Sequence, residues 1–412
     1  MSFTVLFLAA LFATTLMRLW LAVRHMRHVQ SHRGAVPSAF HEAIPLPSHQ
    51  KAADYTVAKV RVALIDVVVG TGLLLVLTVG GLLQWLYQAW QSWFAAGGYA
   101  HGIAFVASVA VIGFLVDLPF SLYRTFVIEN RFGFNKMTWS LWLADLAKEA
   151  LLAAVIGLPV LFVVLWLMGA MGSYWWLYVW AFWLVFNLLV LLVYPSFIAP
   201  LFNKFSPLQD DALKSRIEAL LARCGFRSSG LFVMDGSRRS AHGNAYFTGF
   251  GAAKRIVFFD TLLEKLSPTE IEAVLAHELG HYKHHHVWKR IAVLGAASLG
   301  LFWLLGYLID QPWFYQGLGM TAQGTAPALV LFALVLPVFV FPLAPLMSQF
   351  SRRHEFEADA YAARQTGARD LVTALVKLYR DNAATLTPDP LYSKFYDSHP
   401  PAALRVARLQ ST

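Results

Sequence analysis

The chain has 412 residues, of which 58% are apolar, 15% aromatic and only 14% charged. Soluble domains average about 45–50% apolar and about 25% charged, so a soluble globular enzyme and a disordered chain are both excluded and a multi-spanning membrane protein is expected. The formal charge is +9, from 33 Lys and Arg against 24 Asp and Glu, and a single cysteine, Cys224, excludes a disulfide framework and any Cys-rich metal site.

In chain order, seven apolar stretches are long enough to cross a bilayer, which takes roughly 20 residues. They are 3–23, 62–87, 103–127, 149–171, 174–199, 291–309 and 326–347. The first follows only Met1 and Ser2, without a basic leader or a small-residue cleavage site, and reads as a retained helix. The polar segment 28–53, with its His and Pro, reads as a loop. Asp66, Asp117 and Asn187 fall in or near hydrocarbon depth, either as helix-end contacts or as the lining of a wet interior. Segments 88–102, 172–173 and 310–325 contain no Lys or Arg, while all 33 basic residues lie on or beside 18–61, 124–148, 200–290 and 348–412. The positive-inside rule assigns the second set to the cytoplasm. The N-terminus is then outside and the C-terminus inside, which requires an odd number of spans, as seven is.

The first five spans make a membrane part over 1–200, and spans six and seven a hairpin over 291–347. The polar segments 201–290 and 348–412 flank that hairpin, and they are expected to share one cytoplasmic domain because neither alone offers much core. Residues 209–223 carry apolar side chains at helical spacing. Three strand-like runs follow, 230–234, 244–250 and 255–259, parted by Gly and charged residues, which predicts a small sheet. A helix then opens at Ser267-Pro268-Thr269-Glu270, a capping box with Pro at the first helical position.

That helix carries His277-Glu278-Leu279-Gly280-His281. Residues four apart share a helix face, so His277 and His281 can reach one ion, with Glu278 beside them to meet water. A catalytic zinc takes a third protein ligand and leaves a position open. Position 287 is Val287, which excludes the class with a third histidine there, and His285 lies too far along the helix axis. The run Arg352–Ala363 offers Glu355 and Asp359 on one face, with Glu357 pointing roughly the other way. Spacing alone leaves open whether one of these acids binds metal or whether the run is a solvated helix of Arg–Glu pairs. His284-His285-His286 also admits a His-rich helix end facing anionic lipid.

HELGH, the run RRHEFEADAYA and Ser398-His399-Pro400-Pro401 together resemble the Ste24 family of integral-membrane zinc proteases, the type I CAAX prenyl proteases of the M48 group. Tyr194–Leu208 resembles the family's junction between span five and the protease domain, and Ser240–Phe247 its substrate-edge strand. Thr125–Lys136 resembles a family loop but departs from its pattern at Glu129-Asn130-Arg131-Phe132. The shorter chain suggests a bacterial member, placed in the inner membrane. The resemblance implies a mainly α fold: seven transmembrane helices in a barrel around a chamber, closed by a cytoplasmic α+β metalloprotease domain. It implies one catalytic Zn2+ held by His277, His281 and Glu355, with Asp359 behind a ligand and Glu278 as general base. His399 and Arg405 match positions near the zinc and are expected to stabilise the oxyanion. Substrate is expected to add as a strand along Asn244, Ala245, Tyr246 and Phe247; Tyr246 and Phe247 also read as core packing. The expected partners are a peptide or lipidated protein and the bilayer, with no nucleic acid and no obligate protein partner. Two other readings are a quality-control membrane protease of the HtpX type and a transporter with a structural zinc. Seven spans and the SHPP segment favour the Ste24 type.

Overall fold

The computed structural model describes residues 2–248 and 255–411. Helix α1 (Phe3–Ser31) is followed by α2 (Leu46–Leu77), the short α3 (Leu82–Trp90) and α4 (Tyr99–Leu122), which runs on through a π-helical turn at Tyr123–Glu129. α5 (Trp139–Leu152) and α6 (Leu158–Ala170) form one span around a second π-helical turn, and α7 (Trp175–Val193) leads through a third into α8 (Ala199–Phe202). Two expectations are corrected here. The segment 28–53 is helical at both ends, because α1 reaches Ser31 and α2 begins at Leu46. Its polar residues extend the helices past the apolar stretch, and His49 caps this arrangement by bonding the His32 carbonyl at 2.9 Å. The second span ends at Leu77 rather than 87. Gly81 adopts φ +80°, and a Cβ at Gly80 would lie 2.7 Å from the Val76 carbonyl, so the chain turns there although it stays apolar.

The polar domain follows: β1 (Phe205–Pro207), α9 (Asp211–Cys224), β2 (Gly230–Met234), β3 (Ala245–Thr248), β4 (Arg255–Phe259), α10 (Asp260–Leu263) and α11 (Pro268–Lys283). α12 (His286–Leu308), α13 (Pro312–Gly317) and α14 (Thr325–Val340) form the last membrane hairpin. The chain re-enters the domain on α15 (Ala344–Thr366), α16 (Ala368–Asp381), α17 (Pro390–Tyr396) and α18 (Ala402–Gln410).

The spans touch in a closed ring: α1, α2, α4, α6, α7, α12, α14 and back to α1. Such a ring of seven is a barrel wall, not a solid bundle. Its buried core sits at the end remote from the polar domain, where Phe7, Leu83, Phe105, Leu165, Tyr315 and Leu331 are almost fully enclosed. There Gly102 lets α4 approach Leu165 of α6 and Ala326 of α14, so the barrel is closed at that end. Asp66 and Asp117 both reach Arg124, at 2.7 and 3.6 Å. Asn187 bonds back to the Trp183 carbonyl of its own helix.

At the other end the sheet runs in the order β1-β2-β4-β3, with β2 and β4 parallel and both outer pairs antiparallel. Of the run 244–250, Gly249 lies outside the described residues, as does Phe250. A single apolar core joins Leu213, Ile217 and Leu220 of α9, Ile256 and Phe258 of β4, and Leu371 and Ala374 of α16. Residues from both sides of the membrane hairpin therefore share it.

Candidate active site

The site is built where α11 crosses α15. Ser267 caps α11: its hydroxyl accepts from the Glu270 amide, and Glu270 returns a 2.7 Å bond to the Ser267 amide. Lys377 of α16 also holds Glu270, at 2.8 Å. Ile271, Leu275 and Leu279 are buried in the domain core, which fixes the rotation of α11. A Cβ on Gly280 would come within 2.8 Å of the Ala358 Cα, so the two helices meet almost backbone to backbone. That approach lets Glu355, one turn before Ala358, reach both histidines.

His277 Nε2 and His281 Nε2 are 3.2 Å apart, and Glu355 lies 3.5 Å from the first and 3.4 Å from the second. One ligand atom from each lies within 4.8 Å of the others. Glu355 is 5% exposed; its Oε2 lies 3.5 Å from His277 Nε2 and 3.8 Å from Arg405 Nη1, both longer than a close hydrogen bond. A buried carboxylate is costly unless positive charge meets it closely. The donor set of two imidazoles and a carboxylate suits zinc, so the residues fit a metal ion.

Asp359 accepts from His277 Nδ1 at 2.8 Å, which leaves Nε2 facing Glu355. Arg405 grips Asp359 through Nε at 2.8 Å and one NH2 at 2.6 Å. Burial opposes charging His277, but its hydrogen bonds to Asp359 and Glu355 outweigh burial and raise the imidazole to about 9. Glu278, next on α11, is half-buried.

His399 is exposed beside the His277–His281–Glu355 cluster, its Nε2 3.5 Å from Glu355. Its segment is anchored from α15: Ser348 donates to the Asp397 carbonyl at 2.7 Å, and Arg352 donates to the Asp397 and Ser393 carbonyls. His399 and Arg405 line a cavity of about 480 Å³. It adjoins a second, of about 570 Å³, and shares Asn382, Ala384, Thr385 and Asp397 with it.

β3 is an edge strand, paired on one side with β4. Asn244 accepts from the Phe259 amide, so the alternation of an antiparallel pair turns the backbone groups of Ala245 and Phe247 away from β4. Asn244 is exposed, and its Oδ1 accepts from the Ala245 amide. Tyr246 lies edge-on to Phe259, and Phe247 packs against the core near Tyr282 of α11.

Several contacts around the site had no signal in the sequence. Arg239 clamps Asp145 of α5 at 2.8 and 3.0 Å. The Ala241 amide donates to the Phe134 carbonyl, and Tyr55 and His242 both reach Glu129. The segment 125–136, helical as far as Arg131, is thereby stitched to the chain just before β3. Only the Gly280 in HELGH could have hinted at a helix crossing.

A family model described as the CAAX prenyl protease N-terminal region, five membrane helices, matches residues 25–204. The model of peptidase family M48 matches residues 207–412. The chain belongs to peptidase family M48. It is 40% identical over 314 residues to an Arabidopsis thaliana protein named CAAX prenyl protease 1 homolog, covering 74% of this chain and 72% of that one. It is 38% identical over 326 residues to CAAX prenyl protease 1 of Saccharomyces cerevisiae, covering 75% and 72%. A Caenorhabditis elegans CAAX prenyl protease 1 homolog matches at 33% identity over 98% of both chains. The crystal structure of S. mikatae Ste24p superposes with a TM-score of 0.92 at 32% identity, covering 99% of each chain. This M48 chain is therefore a multi-pass membrane metalloprotease with the Ste24 barrel. The membrane-region match disfavours the quality-control reading.

Proposed function

We propose that this M48 protease uses one zinc ion, held by His277, His281 and Glu355, to cut peptide bonds near the C-terminus of CAAX-type prenylated proteins. The carrying observation is the convergence of those three side chains, with a buried Glu355 carboxylate between the two imidazoles, next to Glu278. The ion supplies Lewis acidity, acidifying water toward a pKa of about 7 and polarising the peptide carbonyl. Glu278 takes the proton of the attacking water and delivers it to the leaving amine. His399 donates an N–H to the developing oxyanion. Arg405 shares that task through Nη1, which lies 3.8 Å from Glu355, and it also positions His277, because its Nε and Nη2 grip Asp359. The substrate lies extended along Asn244–Phe247, bonding the outward backbone groups of Phe247 and the Ala245 carbonyl. Domain bounds of 1–200 for the membrane part and of 201–290 with 348–412 for the protease part belong to this reading. The asymmetry of basic residues supports a cytoplasmic protease domain and an outside N-terminus, in our reading at a bacterial inner membrane.

The test is cleavage of one fluorogenic CAAX peptide, farnesylated and unmodified, by detergent-purified protein with zinc. Glu278→Gln is expected to keep the metal and lose about a hundred- to ten-thousandfold in kcat, as expected for removing a general base. Equal cleavage of both peptides and of a denatured membrane protein would remove the prenyl specificity.

A further inference from the structure

The histidine run after HELGH has a place in this geometry that the proteolytic reading does not use. α11 ends at Lys283 with His284 as its C-cap, and His285 takes up a left-handed conformation, φ +56°. That is uncommon for a residue other than glycine. It folds the first residue of α12, His286, back over the last turn of α11. His286 Nδ1 then lies 2.9 Å from His281 Nδ1. On its far side, His286 Nε2 lies 2.8 Å from Glu357 Oε2. His286 is 3% exposed and stacks on His354 at 3.9 Å with a 10° tilt, and the His284 ring lies 5.6 Å away at 14°.

Counting protons assigns the direction of this chain. An ionised carboxylate only accepts, so His286 Nε2 carries the hydrogen and donates to Glu357. Lys289, 4.0 Å from Glu357, favours the ionised acid. A neutral His286 then offers a lone pair at Nδ1, so His281 Nδ1 is the donor. His281 Nε2 is left bare, aimed at Glu355 and His277. Asp359 performs the same service for His277 from the opposite side.

Resting on the ligand reading above, we propose that Glu357 and His286 form a relay that fixes His281 in the tautomer able to bind the metal. His286 is a positioning residue, and Glu357, whose side chain faces away from Glu355, sets the direction of the relay. His281 is thus held by a neutral imidazole and His277 by a carboxylate clamped by Arg405.

The experiment measures Zn2+ affinity of the full-length, detergent-purified chain against a competing chelator, beside the melting temperature of the metal-free protein. His286→Phe keeps the buried ring and its stacking but cannot accept a hydrogen bond. His286→Asn loses the stack and keeps an acceptor close to the Nδ1 position. The relay predicts an affinity about 10–100-fold weaker for His286→Phe, in the range expected when the outer partner of a ligand imidazole is lost. It also predicts a metal-free melting temperature close to that of the wild type for this variant, and a return toward wild-type affinity in His286→Asn. Wild-type affinity in His286→Phe overturns the relay, as does equal weakening in both variants. His281→Ala separates the two levels of argument: if it binds Zn2+ as the wild type does, the ligand assignment itself falls.

Discussion

At the residue scale, the decisive feature is how His277 is surrounded. Its contacts with Asp359 and Glu355 raise its pKa above the unfolded value of 6.5 to about 9. The sign follows directly. In the metal-free chain the charged imidazole stabilises the fold fully below about 6.5, and that contribution is lost as pH rises through about 9. In the proposed site, a metal bound at His277 Nε2 must displace this proton. Zn2+ affinity is therefore expected to climb about tenfold per pH unit between pH 7 and 9, with about one proton released per ion from this group. Calorimetry in two buffers of different ionisation enthalpy measures the release. Asp359→Asn, which removes the charged partner, should reduce it. HELGH and the EFEAD run were legible in the sequence because each is local, a spacing on one helix. Which acid faces which histidine was not, since it depends on the rotation and distance of two helices more than seventy residues apart.

At the scale of elements, the crossing of α11 and α15 sets the site. Gly280→Ala is expected to force the helices apart at Ala358, where a Cβ has only 2.8 Å of room. Overpacking of this kind costs about 1–3 kcal/mol. The larger effect is on geometry: metal affinity and kcat/KM should both fall more steeply than the melting temperature, and chelator competition beside a thermal melt checks this. α17 tells a related story. Asp389, 1% exposed, caps α17 by accepting from the Leu391 and Tyr392 amides and also receives Arg24 of α1. Asp389→Ala should destabilise by about 1–2 kcal/mol, mostly from the lost cap, because Arg24 is half-exposed. A lowered melting temperature with unchanged metal affinity is the expected result. The sequence announced the helices through caps and periodicity, as at Ser267-Pro268-Thr269-Glu270. It did not announce β1, three residues ending in Pro207, which exists because β2 offers it a partner.

At the scale of the molecule, a ring of seven helices holds a protease domain at one end. The basic residues predict which face that domain occupies. A cysteine placed at Ser92, in the loop without Lys or Arg, should react with a membrane-impermeant maleimide in intact cells, while Cys224 should not. Labelling at Cys224 alone would reverse the orientation. Composition determined by itself that this is a membrane protein of seven spans, because transfer into hydrocarbon depends on each segment's own side chains. The metal-binding chemistry was likewise local. The tertiary structure decided what no segment contains: that the spans close into a barrel capped by Phe105, Leu165 and Tyr315, and that α2 stops at Leu77. It also decided that Arg405 lies behind His277, locked to Asp359, and that His286 turns back onto His281. These depend on distances between residues far apart in the chain, which packing fixes and spacing along the sequence does not record.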